Sequence, residues 1–177
     1  MPDNASPTTW TFELDPLAPR MSLVQSATPD DILLATPDTV DQVVASFDHS
    51  QATPEEVTAL LDVSHKLLRT SVVHYEFAAI GVEKAIQALE LAVRTRLGAG
   101  DKETFADLIK RLPTQTALTE EDVELIDTGR KLRNNLFAHP KTAVAFPLVM
   151  AVGLMRTSHH LIARLFPEAD AVAHATD

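Results

Sequence analysis

No cysteine occurs among the 177 residues of this chain. Disulfides, thiolate metal ligands and thiol nucleophiles are excluded together. Glycine is scarce, at five residues, and none of them forms a phosphate-cradling loop motif. Aromatic residues number nine, with Trp10 and Tyr75 single examples of their type. That is too few for the stacking platforms on which single-stranded nucleic acids lay successive bases. Long apolar runs are missing too. The longest, Ala143 to Met155, is too short to span a bilayer and contains Pro147 and Gly153, so it reads as a buried helix and no membrane partner is expected. The N-terminus has no basic stretch leading into an apolar one, so no signal peptide is expected and the expected location is cytoplasmic.

What is present is an apolar content of 45%, enough for a globular chain with a core. The length allows one compact domain with an appendage. Net charge is −10, but it is unevenly placed. Residues 1–62 hold eleven carboxylates against Arg20 alone, whereas residues 63–177 hold fourteen acidic and fourteen basic side chains. An excess confined to a proline-rich N-terminal third marks an extension with a job different from that of the body. It reads first as a solubilising arm, and second as a partner-binding arm or a mask that repels RNA or lies over a basic groove in a salt-dependent way.

Helical signals begin at Thr53-Pro54-Glu55-Glu56, which combines a capping hydroxyl, a proline at the first helical position and a glutamate three after the cap. Val57, Leu60, Leu61, Ser64, Leu67, Leu68 and Ser71 then recur at helical spacing. A second stripe, rich in alanine, runs from His74 to Leu97 and suits close helix packing. The pattern leaves open whether these are one bent helix or two. Gly98-Ala99-Gly100 ends the run by C-cap logic. A short helix over Glu103–Leu112 should stop at Pro113. Thr119-Glu120-Glu121-Asp122 caps another that runs through Phe137 and ends near His139, because Pro140 disfavours helical dihedrals there. A last helix is expected over Thr142–Phe166. Thr9 to Leu14 alternates in the manner of a short edge strand. The expected organisation is an acidic extension over 1–52, an all-α, four- to five-helix up-and-down bundle over 53–167, and a tail over 168–177.

Residues 130–140, Arg-Lys-Leu-Arg-Asn-Asn-Leu-Phe-Ala-His-Pro, concentrate the chemistry of the chain. Arg133 offers a permanent charge with five donors, and His139, six residues on, exchanges a proton near neutral pH. Together they form a pairing suited to phosphate chemistry. Leu-Arg-Asn followed by Ala-His-Pro at a helix end, late in an all-helical chain, resembles the arginine–polar–histidine motif of the HEPN superfamily. The segment Tyr75 to Ala85 is similar to the small-residue-rich helix that packs across the motif helix in that family. The resemblance covers roughly residues 54–167.

The resemblance implies a metal-independent endoribonuclease in a toxin–antitoxin, antiphage or stress-response role. Arg133 would contact the scissile phosphate, His139 would act as acid or base in attack by the ribose 2′-hydroxyl, and Asn134 would orient one of them. Arg130 and Lys131 would hold flanking phosphates. The implied partners are single-stranded RNA, a second copy of the chain across whose interface two motifs meet, and an antitoxin or other regulatory protein. Some family toxins carry a tyrosine after the motif histidine that an antitoxin modifies, and Pro140 stands in that place here.

Geometry adds a condition. Positions six apart on an ideal helix point about 120° away from each other, so Arg133 and His139 converge only if the helix unwinds or a partner subunit supplies one of them. Arg133 has a purely structural alternative, pairing with a carboxylate such as Glu83 or Glu76, with His139 at a helix C-terminus. The alternative for the whole chain is a non-catalytic helical module binding RNA, a nucleotide or a protein. No cofactor is expected. His159-His160 faces two directions on one helix, and with His65 and His74 elsewhere no metal-ligand spacing exists.

Overall fold

The computed structural model describes residues 35–100, 102–137 and 147–168. Every regular element among them is helical, so the protein is all-α. Six α-helices run in the order α1 (Pro37–Ala45), α2 (Glu55–Thr70), α3 (Phe77–Leu97), α4 (Phe105–Gln115), α5 (Glu120–Leu132) and α6 (Leu148–Leu165), with a π turn over Arg133–Phe137 directly after α5. The strand expected at Thr9–Leu14, most of the tail after Pro167, and Thr142 to Phe146 at the expected start of the last helix lie outside the described residues.

Helices α2 and α3 are separate, divided by turns over Ser71–Glu76. They pack antiparallel. Leu68 shares a buried cluster with Ala78 and Val82, while Val57 and Leu61 share another with Ala88, Leu89 and Ala92. They come close at Gly81, where a Cβ would come to 3.2 Å from the backbone oxygen of Ser64. Ser64 Oγ donates to the Gly81 carbonyl at 2.7 Å across the same crossing. Helix α6 runs parallel to α3, with Leu148, Val152 and Met155 in the first cluster and Leu161, Ile162 and Leu165 in the second. With ten buried residues, α3 is the axis of the fold. Its alanines let three neighbours come close at once, and its end is marked by Gly98 at φ 58°, a left-handed C-cap.

Several boundaries differ from those read in the sequence. Helix α1 falls inside the span set apart by charge, yet Val40, Val43 and the following Phe47 are buried among Leu68, Val72, Leu148 and Met155. Pro113 lies inside α4 and does not end it; the helix runs on to Gln115, and Leu112 accepts from the backbone and hydroxyl of Thr116. The α2 cap position is taken by Pro54, without a side-chain cap, instead of Thr53. Thr119 does cap α5, in a capping box with Asp122.

Candidate functional site

Arg133 stands at the C-cap of α5, as the first residue of the π turn. Single π turns inside helices recur at functional sites. The guanidinium reaches α3, where Nη1 pairs with Oε2 of Glu90. The other carboxylate oxygen of Glu90 accepts from Arg94 Nε and Nη2 at 3.2 and 3.0 Å. Arg94 in turn donates through Nη1 to the carbonyl of Glu103 at 3.0 Å. One carboxylate, its side chain 16% exposed, thus sits between two guanidiniums, and the cluster keeps one net positive charge. The Arg133 side chain is 37% exposed, so its remaining donors have access to solvent.

Pairing of Arg133 with a carboxylate is the purely structural alternative raised by the sequence, and the carboxylate it meets is Glu90, not Glu83 or Glu76. Glu83 accepts from Gln87 Nε2 at 3.0 Å along its own helix, and Glu76 stands at the N-cap position of α3. Asn134 and Asn135 are exposed beside Arg133. Arg130 and Lys131 both engage Asp127, each at 2.7 Å. Those bonds, from Lys131 first and then Arg130, hold the Asp127 carboxyl below its usual range. Lys131 also borders an open groove of about 490 Å³ between α4 and α5, with Lys110 on the opposite wall and Ile109, Pro113 and Val123 among its lining. Arg133, Asn134, Arg130 and Lys131 therefore cluster at the end of α5, with Arg130 turned to Asp127 and Arg133 to Glu90. His139, the acid–base member of the motif, lies outside the described residues.

The histidines not singled out for chemistry meet instead. His159 is buried and His160 is about half exposed, as adjacent residues on a helix must diverge, and His159 lies against His65 of α2. The missing sequence signal was spatial, since 94 positions separate the pair. Among the described residues no group of three or more histidines and carboxylates is placed to hold a metal ion. No described helix is long and apolar enough to cross a membrane.

Fold and cluster define a class, an all-α protein with a cationic helix end. Compared with known proteins, the chain matches no family model, no curated protein and no solved structure.

Proposed function

We propose that the protein is a HEPN-like, metal-independent endoribonuclease that acts as a homodimer on single-stranded RNA, in a toxin–antitoxin, antiphage or stress-response setting. The observation that carries this reading is the guanidinium of Arg133, fixed by Glu90 at a π turn with net positive charge left over. Such a group, held by a partner and still open to solvent, is preorganised for a phosphate. In the proposed reaction the ribose 2′-oxygen attacks the adjacent phosphorus, the 5′-oxygen leaves, and a 2′,3′-cyclic phosphate forms. His139 moves the protons, Arg133 stabilises charge on the phosphoryl oxygens, and Asn134 orients one of them. Water and metal are not reactants in that step. The second copy of the chain meets the geometric condition set by six-residue spacing.

Purified protein should cut single-stranded RNA in EDTA and leave cyclic phosphate ends. His139→Ala should lower the rate by roughly 10²–10⁴-fold, the usual worth of a positioned acid–base group, with helix content unchanged. Cutting by the variant at the parent's rate removes His139 from the mechanism. One observation favours a second reading, a module that binds RNA, a nucleotide or a protein without cutting. The ion pair with Glu90 occupies part of the Arg133 fork. RNA binding without cleavage, weakened by Arg133→Ala, would decide for that reading.

A further inference from the structure

Away from Arg133, two imidazoles meet between α2 and α6. Nε2 of His65 and Nε2 of His159 are 2.7 Å apart. The rings are inclined by 15° with centroids 4.7 Å apart. With the nitrogens that close, the rings meet edge to edge in nearly one plane. This is the geometry of an in-plane N–H···N hydrogen bond and not of a face-on stack. The pair borders a cavity of about 220 Å³ lined also by Asp48, Thr58, Asp62 and Ile162.

The backbone fixes the direction of that bond. Nδ1 of His159 lies 3.2 Å from the carbonyl oxygen of Asp48. A carbonyl only accepts, so this nitrogen carries the proton. Neutral His159 then has a bare lone pair at Nε2, and His65 must donate to it from its own Nε2. A chain of two neutral imidazoles thus runs from α2 through α6 to the segment 46–53. A first extra proton can sit on Nδ1 of His65, which Asp62 favours, and leaves the chain intact. A second must take the lone pair of His159, and two N–H groups cannot face each other across 2.7 Å.

The segment 46–53 joins α1 to α2 and is stitched to the end of α6. Ser50 Oγ donates to the carbonyl of Phe166, the Gln51 N–H reaches Glu168 Oε1 at 3.2 Å, and His160 Nδ1 donates to Asp48 Oδ2 at 2.7 Å. Phe47 lies against both imidazoles, with the Arg156 guanidinium over its ring at 5.5 Å. We propose that the His65–His159 pair is an acid-sensitive latch, which helps to tie the segment 46–53 to α2 and α6 and loosens it when the pair takes a second proton.

The facing groups divide by sign. Burial opposes protonation of both imidazoles, more than any other influence. On His159 the neighbouring His65 and His49 act in the same sense, while Asp48 favours the proton. Asp62 of α2 favours it on His65, and Arg156 of α6 adds positive charge beyond the Phe47 ring. The exposed His160 donates to Asp48 in either charge state, so that contact outlasts the latch. His159 is held down to about 4, below the 6.5 or so of an unburied imidazole. The open state therefore takes up protons first as pH falls. Stability from the pair is complete above about pH 6.5 and is lost on the way down to about pH 4.

Full-length protein with ¹⁵N-labelled histidine should show His159 protonated at Nδ1 and His65 at Nε2 at pH 7.5. Amide exchange of residues 47–52, corrected for intrinsic rate, should rise roughly 50-fold between pH 7 and 4.5, since one linked proton supplies up to about tenfold per pH unit between about pH 6.5 and 4, while amides of 85–93 keep their protection. His159→Phe, which takes no proton, should remove that pH dependence. The opposite tautomers, loss of protection spread equally over α3, or an unchanged pH step in His159→Phe would each overturn the latch. The first two outcomes need only the unaltered protein.

Discussion

Glu90 shows how a single carboxylate sets up the cationic end of α5. Its two oxygens are divided between Arg94 and Arg133, so removing its charge leaves both guanidiniums facing each other. Glu90→Gln should destabilise the fold by about 1–3 kcal/mol, the range for removing one partner of a mostly buried charged hydrogen bond. Glu83→Gln, whose amide oxygen can still accept from Gln87 within the same helix, should stay within about 0.5 kcal/mol, as surface changes usually do. Urea unfolding of the two variants checks this, and equal losses would mean that Glu90 does not anchor Arg133. The motif singles out the arginine and the polar residue beside it, and a carboxylate partner for the arginine was its purely structural alternative. The identity of that partner was not legible. Glu76, Glu83 and Glu90 are seven residues apart, two helical turns each, and so lie on one stripe of α3. Sequence shows the stripe, but where α5 crosses it is decided by packing.

At the scale of elements, the same contrast between local and tertiary causes separates what sequence shows from what it hides. Caps at Thr119 and Gly98 are local chemistry and are where the residues place them. Helix α1 carries the same signature, Thr36 ahead of Pro37 with a reciprocal Thr36–Thr39 box. It was obscured by the acidic composition around it and by having only two buried valines. Pro113 misleads in the opposite direction. A proline costs one hydrogen bond, and α4 absorbs that loss near its end while burying Leu108 and Leu112 completely. Asp122 has a tertiary role that its capping motif does not reveal. Burial resists its charge, but the Thr119 bonds and Arg164 at 2.6 Å outweigh that and leave its carboxyl below the usual range. Gly81 gives the sharpest test of packing. Valine there would drive branched carbons into the helical backbone of α2, and should cost about 1–3 kcal/mol. Gly153, also helical, has no atom within 4 Å of a would-be Cβ. Gly153→Ala should raise stability by about 0.5–1 kcal/mol through helix propensity alone. Thermal denaturation of both variants distinguishes them; a harmless Gly81→Val would contradict the close α2–α3 crossing.

For the whole molecule, the fold redraws the charge map and with it the experiment on RNA. Asp38, Asp41, Asp48, Glu55, Glu56 and Asp62 belong to α1, α2 and the segment between them, so more than half of the acidic excess sits on these two helices and the segment that joins them. Asp41, for example, pairs with Arg69 of α2 at 3.3 Å. Residues 1–34 hold the other five, Asp3, Glu13, Asp15, Asp30 and Asp31, against Arg20. A truncation meant to test masking must therefore stop before Ala35, which is itself buried. Removing residues 1–50 would take Val40, Val43 and Phe47 out of the core and lower the unfolding midpoint, confusing loss of charge with loss of fold. Removing residues 1–34 takes away none of the described core residues. If those residues mask the Arg133 surface, the shortened protein should bind single-stranded RNA more tightly at low salt, and the advantage should shrink as salt is raised, because interactions between exposed charges are screened over about 10 Å at 0.1 M. Equal affinity of the two proteins at every salt concentration would mean that residues 1–34 do not mask the Arg133 surface.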